Sequence, residues 1–210
     1  MDSFPLFIAV IAAGYVLGSV PTGQIVGALH GGVDLSQHGS GKTGATNALR
    51  TLGPGAGAAV LLGDLAKGGV AFLLAHLLFP SGATQQWAEA LAGFSAVIGH
   101  NWSLFIHFKG GRGVAVSFAV FLLLCWPAAL LTALTFAVVV GLSRIVSLAS
   151  IVGAVVGLLL LAAFVVWVHY PAPFLAYGVL AAVLVLLRHL DNMQRILAGN
   201  ERRLGQKAGV

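Results

Sequence analysis

Residues 147–168 read SLASIVGAVVGLLLLAAFVVWV, a run with no charged side chain that is long enough to cross a membrane. About 20 helical residues cover the ~30 Å hydrocarbon core of a bilayer. The rest of the chain has the same character. Of its 210 residues, 59% are hydrophobic and 8% are charged, where a soluble domain carries about 25% charged residues. So few charges cannot cover a water-facing surface, and the class is an integral membrane protein. Strand-period alternation is absent, which argues against a barrel and for an all-α fold. Convincing repeats, low-complexity tracts and separable domains are absent too, so residues 1–210 read as one multi-pass domain.

Working outward from that run, the apolar stretches predict seven transmembrane helices, at roughly 4–29, 56–79, 86–106, 113–125, 127–143, 147–168 and 172–187. The fourth is short and stops at Trp126-Pro127, as a tilted, buried or partly re-entrant segment would. Seven spans put ten of the eleven Lys and Arg on one side: Lys42, Arg50, Lys109, Arg112, Arg144, Arg188, Arg195, Arg202, Arg203 and Lys207. The eleventh, Lys67, falls inside the second span. This positive-inside bias assigns that face and the C-terminus to the cytoplasm. Trp87, Trp126, Trp167 and Tyr170 fall near the opposite ends, like an outer aromatic belt. The bias also accounts for the formal net charge of +5 without a nucleic-acid partner. Asp2 and the lack of a basic residue before the first apolar stretch indicate a retained helix, not a cleaved signal peptide. The single Cys125 excludes an internal disulfide, and the 28 glycines suit close helix packing.

The polar, glycine-rich segments all fall on the cytoplasmic face: 30–55, 99–113, 144–150 and 188–203. The first contains GSGKTGATNALR at 39–50, which resembles the end of a nucleotide-binding P-loop. That motif needs a glycine where Ser36 stands, and it follows a strand, whereas here a membrane helix precedes it. The physics common to both remains. Gly39, Gly41 and Gly44 permit tight turns that aim backbone N–H groups at an anion. Ser40, Thr46 and Asn47 add neutral hydrogen bonds, and Arg50 adds a charged one. In the second segment, Gly110, Gly111 and Gly113 enclose Lys109 and Arg112 just before a helix, a natural phosphate cradle. Asp64 and Lys67 lie three apart inside a span, where charges are paired or functional. In the tail, His189 and Asn192 are one helical turn apart, beside Arg195 and Glu201, and a histidine suits proton transfer. No histidine or cysteine spacing points to a metal, no G-x-S-x-G elbow to an acyl-serine, and no cofactor is expected.

Six motifs occurring in order carry a resemblance: GSVPTG at 18–23, GSGKTGATNALRTLG at 39–53, GDLAKG at 63–68, GHNWSLFIHFKGGRGVA at 99–115, SRIVSLAS at 143–150 and RHLDNMQRILAGNE at 188–201. Together they resemble the PlsY family of bacterial acyl-phosphate:glycerol-3-phosphate acyltransferases. The resemblance implies an inner-membrane enzyme that moves a fatty acyl group from acyl phosphate to the 1-hydroxyl of glycerol 3-phosphate. Its products are lysophosphatidic acid and phosphate. The His-x4-Asp motif of other glycerophosphate acyltransferases is absent, as in that family. The family's first motif falls on Ser40, Thr46, Asn47 and Arg50, and its phosphate loop on Lys109, Gly110, Gly111 and Gly113. A family serine falls on Ser147, and the third motif falls on His189, Asn192 and Glu201. Ser40, His189 and Asn192 are the implied catalytic set. Two positions depart from the family: Lys42 replaces its usual Asn, and Arg112 its usual Lys. The rival reading, a transporter for a phosphorylated solute, fits less well, because the span interiors are apolar apart from Asp64 and Lys67. Oligomeric state and acyl-chain preference are open at this point.

Overall fold

The computed structural model describes residues 4–206; Asp2 and Lys207, which enter the readings above, lie outside them. All regular structure among the described residues is helical. The order is α1 (Phe4–Ser19), α2 (Thr22–Leu29), α3 (Ala45–Leu52), α4 (Pro54–Leu78), α5 (Ala83–Asn101), α6 (Val114–Leu124), α7 (Trp126–Ser143), α8 (Val146–Trp167), α9 (Ala172–Arg188) and α10 (Leu190–Leu197). Short 3-10 turns at Leu35–Gln37 and Leu104–Ile106 interrupt the two longest loops. Proline in the first turn opens α4, α7 and α9, where its missing N–H removes no helical bond.

Four stretches are long and apolar enough to cross a membrane: Phe4–Leu29 taken through its break, α4, α7 and α8. The α9–α10 pair makes a fifth if its 55° bend is counted within one span. Two of the seven expected spans differ from this pattern for identifiable reasons. Helix α5 carries Gln85, Gln86, Glu89, Ser95, His100 and Asn101, and it is surrounded by α1, α4, α6 and α9. Much of its surface therefore meets protein, and it has less need to be apolar. Helix α6 has 11 residues and rises only ~16 Å, about half the hydrocarbon thickness. Close packing of α1 on α5 rests on small residues. A side chain on Gly18 would overlap the Ala96 carbonyl, and one on Gly99 the Tyr15 carbonyl.

The first apolar run breaks at Val20-Pro21, because proline has no N–H to continue the helix. The carbonyls released there find donors on other elements. Ser103 Oγ donates to the Ser19 carbonyl at 2.5 Å, and Lys67 Nζ donates to the Val20 carbonyl at 3.0 Å. Lys67 also pairs with Asp64 at 3.0 Å, one turn away on α4. The same Asp64 oxygen accepts from Thr22 Oγ1 at 2.5 Å and meets His100 Nδ1 at 3.3 Å. Asp64, Lys67 and His100 are 2%, 7% and 6% exposed. This one buried cluster ties the α1–α2 break, α4 and the end of α5 together at the level where the loops begin.

Removing one partner of a buried ion pair strands the other charge, at a cost of about 3–5 kcal/mol. Asp64→Ala should therefore lower the thermal unfolding midpoint of the detergent-purified protein substantially. Asp64→Ala combined with Lys67→Met should recover part of that loss in the same measurement.

Candidate active site

The loop after α2 owes its shape to Asn47, which is buried on α3. Its Nδ2 donates to the carbonyls of Leu35, His38 and Lys42 at 3.0, 3.0 and 2.8 Å, and its Oδ1 accepts from the Ser40 N–H at 3.0 Å. Asn47 is thus the post around which residues 35–42 wrap. Gly39 and Gly41 adopt φ of 59° and 66°, the left-handed region that a glycine enters most readily. The Gly41 N–H is engaged by the His38 carbonyl at 3.0 Å. The glycines therefore bend the loop, and it is Ser40, Lys42, Gly44 and Thr46 that reach the central cavity along with Asn47.

The glycine-rich turn before α6 divides in a similar way. Gly110 and Gly111 press against the end of α5: a side chain on Gly110 would overlap the His100 carbonyl, and one on Gly111 the His100 ring. The Gly111 N–H donates to the His100 carbonyl at 3.2 Å. Arg188 clamps the turn from α9, donating to the Gly111 carbonyl at 2.9 Å while its guanidinium lies 5.1 Å from the centre of the Trp102 ring. Lys109 is exposed beside Gln24 and Asp34, in a separate small depression. Of the expected cradle, Arg112 and Gly113 line the central cavity, while Lys109, Gly110 and Gly111 do not. The reason is steric: α5 occupies the space into which the two glycines would turn.

The tail supplies the opposite wall. Glu201 accepts from Ser147 Oγ at 2.8 Å, Asn192 Nδ2 at 2.7 Å and Arg195 Nε at 2.7 Å. Burial pushes its carboxyl up, but these donors outweigh burial and hold it below the usual glutamate value. The chain beyond it straps back over the bundle. Arg144 and Leu204 exchange hydrogen bonds of 3.1 and 2.7 Å, and Arg50 donates to the Arg202 carbonyl at 3.2 Å. His189 and Asn192 are each 2% exposed. His189 Nδ1 lies 2.7 Å from the Val185 carbonyl. Only an Nδ1–H can bond to that oxygen, so in the neutral ring Nε2 carries the lone pair.

These walls enclose one cavity of about 410 Å3. Its mouth holds Ser40, Lys42, Arg50, Arg112, His189 and Asn192, while its far part lies between α6, α7, α8 and α9. Arg50 Nε, Arg112 Nε and Asn192 Oδ1 are buried without a partner among the described residues. Burial draws Arg112 down to about 10, helped by the nearby Arg195 and opposed by Glu201, so it remains a cation at neutral pH. Burial also lowers Lys42, with Arg188 and Arg112 adding to the effect. Asp64 and Glu201 are the acids at the cavity, and both are already engaged. Unpaired cations crowded at a polar mouth make an anion site. His100 and Asp64 also line the cavity, a His–Asp contact that the motif reading passed over. The signal available for it was the GHN triplet at 99–101, inside the third apolar run.

The family model described as glycerol-3-phosphate acyltransferase matches residues 8–199. A Nostoc sp. protein named glycerol-3-phosphate acyltransferase is 42% identical, covering 95% of this chain and 92% of that one. A Gloeobacter violaceus protein of the same name is 41% identical, with 98% of each chain covered. Among solved structures, the chain is similar to PlsY (YgiH), an integral membrane glycerol 3-phosphate acyltransferase, in its glycerol 3-phosphate form. The TM-score is 0.86 at 34% identity, covering 95% of this chain and 96% of that one. The lysophosphatidic acid form of PlsY gives a TM-score of 0.83 at 33% identity, with 95% of each chain covered. The chain therefore belongs to the glycerol-3-phosphate acyltransferase family and is a multi-pass membrane acyltransferase of the PlsY type.

Proposed function

We propose that this protein transfers a fatty acyl group from acyl phosphate to the 1-hydroxyl of glycerol 3-phosphate, giving lysophosphatidic acid and inorganic phosphate. The observation that carries this reading is a single cavity joining a mouth of unpaired cations to an apolar interior. The two substrates bring roughly three to four negative charges at neutral pH, since the second pKa of a phosphate is ~6. Arg50, Arg112 and Lys42 supply the charge to hold both phosphates side by side. The similar PlsY structures, one a glycerol 3-phosphate form and one a lysophosphatidic acid form, support the same substrate and product here.

The donor is a mixed anhydride and already activated, so orientation and charge stabilisation suffice without a covalent enzyme intermediate. The glycerol 1-oxygen attacks the acyl carbonyl carbon, the carbonyl–phosphate bond breaks, and phosphate departs towards Arg112 and Arg50. His189 Nε2 accepts the hydrogen of the attacking hydroxyl and aims its oxygen. Ser40 and Thr46 present hydroxyls to the phosphates, and Asn192 Oδ1 accepts from the glycerol. Glu201 holds Asn192 and Ser147 in place, and Asn47 holds the Ser40 loop. Lys109, Gly110, Gly111, Gly39 and Gly41 act one step back, shaping the two turns. The protein sits as one domain in the bacterial cytoplasmic membrane with seven spans, two of them formed by the protein-enclosed α5 and the short α6. Its loops and C-terminus face the cytoplasm, where the Lys and Arg bias places them.

The defining assay supplies the purified protein with labelled glycerol 3-phosphate and either acyl phosphate or acyl-CoA. Label should enter lysophosphatidic acid with acyl phosphate alone; transfer from neither donor overturns the reading. Arg112→Gln should lower kcat/KM for glycerol 3-phosphate by roughly 10- to 100-fold, the worth of a charged hydrogen bond, and Arg112→Lys should restore part of it. His189→Ala should cost roughly 10²- to 10⁴-fold in kcat if Nε2 takes the proton. Retention of most turnover in a folded His189→Ala protein would assign the proton to an oxygen of the departing phosphate instead.

A further inference from the structure

Below the polar mouth the cavity continues as an arm between α6, α7, α8 and α9. On α8 the lining positions descend from Ser147 and Ser150 through Gly153 to Gly157 and Leu161. On α9 they descend from His189 through Val185 and Ala181 to Gly178 and Tyr177. At ~1.5 Å per residue, Leu161 lies roughly 21 Å below Ser147, and Tyr177 roughly 18 Å below His189. The two antiparallel helices thus agree on where the arm ends.

Two hydroxyls of the deep walls are engaged within the walls themselves. Thr132 Oγ1 donates to the Ala128 carbonyl at 2.8 Å, and Tyr177 OH to the Ser117 carbonyl at 2.8 Å. The Ser117 hydroxyl, on the same lining, is buried without a partner among the described residues. Leu161 and Tyr177, 1% and 2% exposed, are the last lining residues of α8 and α9. Just above them the arm narrows at Gly157. A Cβ placed there would lie 3.2 Å from Phe121 Cε1 and 3.2 Å from Thr132 Oγ1. A side chain there would crowd Phe121 and Thr132.

We propose that Phe121, Thr132, Gly157 and Leu161 form a length gauge for the acyl chain of the donor, with Gly157 the residue that sets the usable depth. This rests on the acyl-transfer reading above and goes beyond it by assigning the specificity of the apolar end. An apolar arm that ends on the buried Leu161 and Tyr177 accepts methylenes until that floor is reached; a longer chain must then fold back or leave the carbonyl short of the mouth. A side chain at position 157 raises the floor, and truncation of Leu161 lowers it. One methylene gained or lost against an apolar pocket changes kcat/KM by roughly tenfold or more.

The test measures kcat/KM of the purified full-length protein with dodecanoyl, hexadecanoyl and octadecanoyl phosphate at saturating glycerol 3-phosphate. Gly157→Leu should lower the hexadecanoyl-to-dodecanoyl ratio by roughly tenfold or more. Leu161→Ala should raise the octadecanoyl-to-hexadecanoyl ratio. Neither should move KM for glycerol 3-phosphate, because the mouth is untouched. Equal loss across all donors in both variants overturns the gauge. If Gly157→Leu does not fold, Leu161→Ala decides alone, and an unchanged ratio overturns the proposal. A wild-type protein that turns over no acyl phosphate of any length removes the acyl-transfer reading itself, an outcome distinct from an active enzyme with unaltered chain preference.

Discussion

The Asp64 carboxylate, buried in helix α4, is the constraint around which the rest of this protein is arranged. Charges inside a bilayer are costly unless they find partners there. Asp64 finds three, in Lys67, Thr22 and His100, and Lys67 in turn donates to the Val20 carbonyl at the break before α2. Satisfying one carboxylate thereby joins the start of α2, the body of α4 and the end of α5. The glycine-rich turn packs on His100, and Arg188 clamps that turn from α9. The cation-lined mouth opens beside the same cluster, so the device that pays for burying the charge also locates the site.

Charges are treated in opposite ways over a short distance. In the cluster around Asp64, and around Glu201, each carboxylate is matched by several donors. At the mouth, Arg50 and Arg112 keep buried nitrogens with no acceptor among the described residues. A buried, unmatched guanidinium is costly, and an anion bound there would relieve that penalty. Glu201 shows how the imbalance is kept: three donors hold it, so it is not drawn across to neutralise Arg112.

Motif spacing picked out loops that border the cavity, but not which of their residues reach it. Ser40, Thr46, Arg50, Arg112, His189 and Asn192 all reach the cavity, as their motifs suggested. Asn47 also borders it, yet its amide is taken up by four backbone groups of its own loop. Lys109, Gly110 and Gly111 share a motif with Arg112 but pack on α5 or face a different depression. Composition alone cannot separate a glycine that frees an N–H for a ligand from one that lets two backbones touch. His100 was missed for the complementary reason: its partner Asp64 lies on another helix, and no local spacing records the meeting.

The helical membrane class was determined by the sequence itself, and the break at Pro21 follows from a proline inside the run that reads as one span over 4–29. The bilayer tests apolar length and the chain tests proline locally, without reference to distant residues. Which helices meet lipid and which meet protein was decided by tertiary structure, as polar α5 and eleven-residue α6 show. So was the site. Ser147 reaches Glu201 across 54 residues, Arg188 reaches Gly111 across 77, and Arg50 reaches Arg202 across 152. Contacts of that separation depend on how whole helices pack, and only the folded bundle brings the unpaired cations of the mouth and the apolar arm into one cavity.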